Sequence, residues 1–302
     1  MLQQTRVAAV LPRYTSFISR FPDVYSLSVA DEDVLKKHWE GLGYYSRAVN
    51  LKRSAALILT TFSGKFPSSE KQLLTLPGIG PYTAAAIASI AFGKPVAAVD
   101  GNVLRVWSRL MEDSRNLSSP SIRKEIKNKL ESILPAEHPG DFNSAMMELG
   151  ATVCLPTGKP HCSSCPLSFH CKAYASGSVS QFPVRHQKTA RRIIQKTVFV
   201  LYTPSGTPLV HRREKKGVLS GLWQFPDLEF QASESEFFTF LAENGLHPEG
   251  EILQYTKKHI FTHQEWNMCI YSVSVSGTPP LSWMPLTEEM ALPTAYRICI
   301  PE

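Results

Sequence analysis

With 302 residues the chain is long enough for two domains, each burying its own core. An apolar content of 43% with ordinary glycine and proline excludes a disordered or fibrous chain. No apolar run approaches the roughly 18 residues of a membrane span, and the first residues lack the charged region and cleavage site of a secretory signal. A net charge of +6 is compatible with a polyanionic partner without selecting one.

The chain opens on "MLQQTRVAAVLPRYTSFISRF", with no Ser, Thr, Asp or Asn cap ahead of its apolar pattern. Tyr14, Phe17, Ile18 and Phe21 recur at helical spacing, which predicts a core-packing helix that Pro12 should kink or divide. A second helical run follows Gly41 and Gly43, from Tyr45 through Leu51, Ala55 and Ile58. In "LPGIGPYTAAAIASIAFGKPVAAVDGNVLRV", Gly78 and Gly80 permit a tight turn opening directly into an Ala-rich helix. Unpaired backbone N–H groups at such a helix start suit a phosphate. A nucleotide-binding P-loop would need Gly-Lys-Ser/Thr after the glycines, and Pro81-Tyr82-Thr83 is not that. Asp100-Gly101-Asn102 follows eighteen residues on, and Ser119-Pro120 starts a further helix with Ile122, Ile126, Leu130 and Ile133 on one face.

Cys154, Cys162, Cys165 and Cys171 lie within eighteen residues, a density that points to one metal centre. By spacing alone, zinc and an iron–sulfur cluster both fit. Cys269 and Cys299 stand apart and read as buried thiols. Between 176 and 196 the helical stripe disappears, and Arg185, Lys188, Arg191, Arg192 and Lys196 meet no acid, as in a solvated basic linker. The same cations could alternatively follow a phosphate backbone. Beyond it the period shifts toward two. "TVFVLYTPSGTPLVHRR" reads as strand, turn and strand, and Ser233 with Glu236 forms a capping box for a helix ending near Gly245. "WNMCIYSVSV" reads as another strand, so the second half is an α/β or α+β domain.

The hairpin, the "VDGN" and the four-cysteine loop, in this order, resemble the helix-hairpin-helix DNA glycosylases that carry a [4Fe-4S] cluster. The position two residues after Gly80 separates two branches. The endonuclease III branch has a lysine there that attacks the sugar, whereas this chain has Tyr82. Tyr82 and the Gly101-Asn102 pair after the aspartate resemble the adenine DNA glycosylase (MutY) family. "MLQQT", "WEGLGYYSRAVNL", "FNSAMMELGATVC", "GLWQFP", "HIFTH" and "LPTAYR" extend that resemblance from end to end.

The resemblance implies a multi-domain chain. An all-α helix-hairpin-helix glycosylase domain at 1–175 would hold the hairpin at about 76–94 and the cluster loop at 154–171. A basic linker at 176–196 and an α/β Nudix-like domain for 8-oxoguanine recognition at 197–302 would follow. It implies a monofunctional base-excision-repair enzyme hydrolysing the N-glycosidic bond of adenine mispaired with 8-oxoguanine or guanine, its partner double-stranded DNA bearing those mispairs. Flipping the adenine out of the duplex costs a few kcal/mol. Gln3, Gln4 and Tyr44 would fill the gap, while the N–H groups of Gly78 and Gly80 hold the backbone. Asp100 would stabilise the cationic sugar, with Asn102 and Tyr82 orienting it or the nucleotide. Phe261, Thr262 and His263 match the loop that senses 8-oxoguanine, with threonine where serine is commoner; His259 is expected to be structural. The four cysteines would hold a [4Fe-4S] cluster, although seven residues separate Cys154 from Cys162 where the family usually has six. "SESEFFTFLAENGL" lacks the acidic cluster of a Nudix pyrophosphatase.

Without the resemblance, Gln3 and Gln4 read as a surface amide pair, Tyr44 as a core tyrosine and Asp100 as a turn residue. In the family a general-acid glutamate lies two positions before the methionine matching Met1, so the expectation is an N-terminally truncated chain whose acid lies outside it. The alternatives are a non-catalytic lesion binder, or an endonuclease III-like lyase disfavoured by Tyr82. A monomer in the bacterial cytoplasm, away from membranes and associated with DNA, is expected.

Overall fold

In the computed structural model, residues 1–5, 7–184, 190–214 and 217–301 are described. The backbone divides into two compact units that cut across the expected segmentation. One unit joins residues 1–52 to 189–302, and the other comprises residues 53–188. The N-terminal helices therefore share a unit with the C-terminal half instead of with the rest of the helical half.

In the first unit, α1 (Val7–Arg20), α2 (Val24–Ser28), α3 (Glu32–His38) and the first turns of α4 (Ser46–Thr61) precede the sheets. α1 runs through Pro12 unbroken. Pro12 lies in the second turn, where only the Ala8 carbonyl loses a helical donor. Phe17 and Phe21 are buried with Trp39 and Leu35, but Tyr14 and Ile18 are exposed, so the expected core face is half as wide. α2 and α3 are capped by Asp23 and Asp31 through their side-chain oxygens.

β1 (Arg192–Tyr202), β4 (Asp227–Leu228), β5 (Leu246–Ile260) and β6 (Gln264–Gly277) form a sheet in the order β4-β1-β6-β5. β1 runs parallel to β6, in register from Arg192 opposite Gln264 to Tyr202 opposite Ser274. β2 (Leu209–Arg212), β3 (Trp223–Gln224) and β7 (Trp283–Pro285) make a separate sheet ordered β3-β2-β7. Thus the strands on either side of the Pro-Ser-Gly turn enter different sheets. α11 (Glu234–Glu243) carries the expected Ser233–Glu236 capping box, and Gly245 follows it at φ 69°. α12 (Thr294–Arg297) buries Ala295 and Tyr296.

β1 begins inside the stretch expected to be linker. Lys196 is buried, paired with Asp227 at 2.7 Å and lying over the Trp266 ring, because its strand position points into the core. It is not a solvated linker cation. Arg185 and Lys188 of that stretch lie outside the described residues. Cys269 and Cys299 are buried free thiols as expected, and burial pushes Cys299 up to about 12.

The first unit also packs its helices on the C-terminal segment by charge. Lys36 donates to the Gly221 carbonyl at 3.1 Å, and the Glu40 carboxylate accepts from the Leu292 N–H at 3.1 Å and pairs with Arg297.

The second unit is helical. α5 (Glu70–Leu73) leads to the hairpin and α6 (Pro81–Ala86), which passes into a π turn at Ile87–Ala91. α7 (Gly101–Met111), α8 (Pro120–Glu131), α9 (Pro139–Glu148), a second π turn at Leu149–Val153 and α10 (Lys172–Ala175) follow. Val103, Leu104, Val106, Trp107, Ile126 and Leu130 form its core, while Ile133 is exposed. Among the described residues no helix is long and apolar enough to cross a membrane.

Candidate functional site

In the second unit the hairpin turns on Gly78 alone, at φ 78°, whereas Gly80 is extended and precedes α6 with Pro81 in the first turn. After the π turn the chain runs without regular structure through residues 94–99, the Val96 N–H donating to the Lys94 carbonyl at 2.8 Å. Buried Asn143 holds that run, accepting from the Ala98 N–H at 2.9 Å and donating to Val96 O and Ser89 Oγ at 2.9 Å each.

The run delivers Asp100 to the start of α7. Oδ1 accepts from the Val103 N–H at 2.8 Å and Oδ2 from the Asn102 amide at 2.9 Å. Asp100 is therefore a helix cap with a defined orientation, and not an isolated turn residue. Asn102 accepts in turn from Arg105 Nη2 at 2.8 Å. Arg105 also donates to the carbonyls of Gly150 at 2.7 Å and Cys154 at 2.8 Å. Tyr82, 37% exposed, donates to Met147 Sδ at 3.3 Å. Burial, then the Asp100 charge, pushes its phenol above the usual tyrosine range.

The four cysteines are partly buried free thiols. Cys162 is pushed up by burial and by Cys154, Cys171 and Cys165, and Cys171 by burial and by Cys154 and Cys165. Cys162 and Cys171 thus lie close enough to neighbouring thiols to be disfavoured as thiolates. Arg109 Nη1 donates to Cys154 Sγ at 3.1 Å, and the Arg109 carbonyl accepts from Cys171 at 3.5 Å. Among the described residues no three His, Cys, Asp or Glu side chains converge on a point that one metal ion could fill. Four partly buried thiols within one loop are a donor set that an iron–sulfur cluster or a zinc ion would each accept.

The first unit brings a different set together. Gln4 and Tyr44 both have left-handed backbone, at φ 53° and 44°, which is uncommon for such residues. Arg47 holds both segments. It donates to the carbonyls of Met1 at 2.8 Å and Leu42 at 2.7 Å, to Thr5 Oγ1 at 2.8 Å, and to the Gln3 carbonyl. Its guanidinium also lies over the Tyr44 ring, 5.7 Å from the centroid. Tyr44 is 47% exposed, which excludes a core tyrosine, and its hydroxyl is hydrogen-bonded to Thr262 Oγ1. Phe261 packs edge-on against Trp266 at 4.8 Å and against half-buried His259 at 4.6 Å. Burial pushes His259 below the usual histidine range, so it is held neutral. The His263 carbonyl accepts from the Arg192 N–H at 3.2 Å, tying the end of this loop to β1.

Sequence reasoning missed Arg47, Arg105 and Arg109. Arg47 had a signal, because a cation in the first turn of a helix opposes the helix dipole. The others follow Asn102 at three and seven residues, on one face of α7.

Glu236, a candidate for any Nudix-type acidic helix, is consumed by its capping box with Ser233.

A family model described as the HhH-GPD superfamily base excision DNA repair protein matches residues 1–135, and one described as a NUDIX domain matches residues 197–302. The solved structure of a thermostable thymine-DNA glycosylase shares 30% identity at a TM-score of 0.53, covering 58% of this chain and 80% of that one. The chain thus joins a domain of the helix-hairpin-helix base excision DNA repair superfamily to a NUDIX domain.

Among relatives, the adenine DNA glycosylase of Buchnera aphidicola subsp. Schizaphis graminum is 33% identical, over 78% of this chain and 68% of its own length. The Homo sapiens adenine DNA glycosylase is 31% identical over 94% of this chain and 61% of its own length. The chain belongs to the adenine DNA glycosylase family. It spans between 61% and 64% of the human, mouse and Buchnera (Baizongia) relatives.

Proposed function

We propose that the protein excises adenine opposite 8-oxoguanine or guanine in double-stranded DNA by hydrolysing the N-glycosidic bond, without cutting the strand. The observation that carries this reading is Asp100, whose carboxylate is fixed by the Val103 N–H and the Asn102 amide. A fixed negative charge stabilises the cationic sugar as the bond to adenine lengthens, without reorganising as it does so. The phenol of Tyr82 stays neutral and has no amine with which to form a covalent sugar adduct, so no strand cleavage follows.

Gly78, Gly80 and the start of α6 would hold the DNA backbone. Gln4 and Tyr44, aided by Gln3, would fill the space left by the flipped adenine, and Phe261, Thr262 and His263 would read the opposite base. Cys154, Cys162, Cys165 and Cys171 would hold a [4Fe-4S] cluster, which when bound stiffens the loop without supplying electrons, since hydrolysis moves none. A monomer acting on DNA in a bacterial cytoplasm fits this reading.

The test is single-turnover incubation with a duplex carrying one adenine opposite 8-oxoguanine. Adenine release with strand scission only after alkali supports the proposal. Scission without alkali, lost on Tyr82→Phe, would replace it with a lyase. Tight binding with no release would make the protein a lesion binder.

A further inference from the structure

The segment that closes over Asn102 is not an ordinary helix end. α9 passes into the π turn Leu149–Val153, and the Cys154 N–H donates to the Leu149 carbonyl, five residues back, at 2.7 Å. A continuing α-helix would have given that N–H to Gly150 O. The Gly150 carbonyl is thereby left for Arg105 Nη2, at 2.7 Å. Three residues earlier, Met147 accepts from the Tyr82 hydroxyl. One rail thus accepts from Tyr82 and from Arg105, whose guanidinium in turn holds the Asn102 amide.

Gly150 is buried and has no left-handed φ, so its backbone conformation does not require glycine. Space does. A Cβ at residue 150 would stand 2.5 Å from Asn102 Cβ, 3.1 Å from its Cα and 3.2 Å from its carbonyl carbon. None of these is the far end of a flexible chain. Asn102 lies in the first turn of α7, whose start is pinned by the Asp100 cap. An added methyl must move either Asn102, which carries the Asp100 carboxylate, or the turn, which carries Arg105's acceptors.

We propose that Gly150 is a positioning residue: its bare Cα lets the π turn press directly on Asn102 and so fixes the amide that orients Asp100. The link from this orientation to a rate rests on the glycosylase reading; the orientation itself does not.

Gly150→Ala in the full chain tests it, with two readouts. Amide exchange at Val103 should quicken at least tenfold and the Asn102 side-chain NMR resonance should shift, because both report the Asp100 bonds. Single-turnover adenine release should fall by about 10²-fold, the scale of a 1 Å misplacement, with duplex affinity within twofold. Gly140→Ala supplies a comparable steric insult at the other π turn, where a Cβ would lie 2.9 Å from Ile90 Cα, and should leave the Asn102 resonance in place. If Gly150→Ala folds poorly, the Asn102→Gly background removes the opposing Cβ and should abolish most of its added loss in melting temperature.

Unchanged Val103 exchange and Asn102 resonance in Gly150→Ala would overturn the proposal, as would an equal melting loss in the Asn102→Gly background. Should the unmodified protein release no adenine, the glycosylase reading falls while the exchange and resonance readouts still decide the role of Gly150.

Discussion

The two centres are built on opposite principles. Asp100 is held by a backbone donor, an amide and, through that amide, a buried arginine whose donors reach two further carbonyls. Tyr44 and Thr262 are side chains whose hydroxyls satisfy each other, and Tyr44 is nearly half exposed. The first arrangement suits a group whose charge must not move while a bond breaks. The second suits groups that exchange one partner for another, since a hydroxyl pair releases a donor and an acceptor when an incoming base separates it. Arg47 marks the boundary of that freedom, because it fixes the backbone around Gln4 and Tyr44 and lies over the Tyr44 ring, so that the hydroxyl end of Tyr44 is the part left to exchange partners.

The strongest way to break this contrast is Asp100→Asn. Asparagine caps a helix about as well as aspartate, so the fold should survive with a melting temperature close to that of the unmodified protein. Loss of the fixed charge should lower single-turnover adenine release by about 10²–10³-fold or more. A rate within a factor of three would show that the carboxylate is only a cap. Next in size is Arg47→Lys, which keeps the charge but loses the fork that reaches several acceptors at once. Affinity for an adenine:8-oxoguanine duplex should fall about tenfold, or about 1.4 kcal/mol, by fluorescence anisotropy, with release from the bound complex less affected. An equal loss in both would erase the distinction between the two centres.

How much of this could be read from the chain alone depended on distance in sequence. The Ser233–Glu236 box is local and readable as such, whereas Asp100, read by itself as a turn residue, proves to be the cap of α7. The four cysteines were legible by density. What was not legible was long-range. Lys196 looked solvated because its partner Asp227 is thirty-one residues away, and Arg105 finds its carbonyls across forty-five to forty-nine residues. The pairing of Tyr44 with Thr262 spans 218 positions. The grouping of residues 1–52 with 189–302 was hidden for the same reason, as it rests on contacts such as Lys36 to Gly221 that no periodicity displays.

Smaller effects separate hydroxyl from shape at the reading loop. Thr262→Val keeps the branched side chain and removes the hydroxyl that meets Tyr44. A lost neutral hydrogen bond is worth about 0.5–1.5 kcal/mol, so preference for 8-oxoguanine over guanine should drop by up to about tenfold. Thr262→Ser should retain it. A drop of the same size in both variants would assign the preference to packing around Phe261 and Trp266 instead.

Tyr82 gives the smallest predicted effect and a pH test. Its folded pKa is raised above the usual 10 by burial and by the Asp100 charge. The phenol therefore stays protonated up to pH 10, and the stability tied to the neutral form is present below that value and lost as pH rises through the folded pKa. Tyr82→Phe removes only the donation to Met147 Sδ, so adenine release should change by no more than about fivefold, or about 1 kcal/mol. Rate profiles of the two proteins should be parallel from pH 5 to about 9. Above pH 10, the unmodified protein should lose melting temperature that Tyr82→Phe retains. A rate limb below pH 9 that vanishes in Tyr82→Phe would place the phenol in proton transfer, and the hydroxyl would then belong with Asp100 in the chemistry instead of with the rail that supports it.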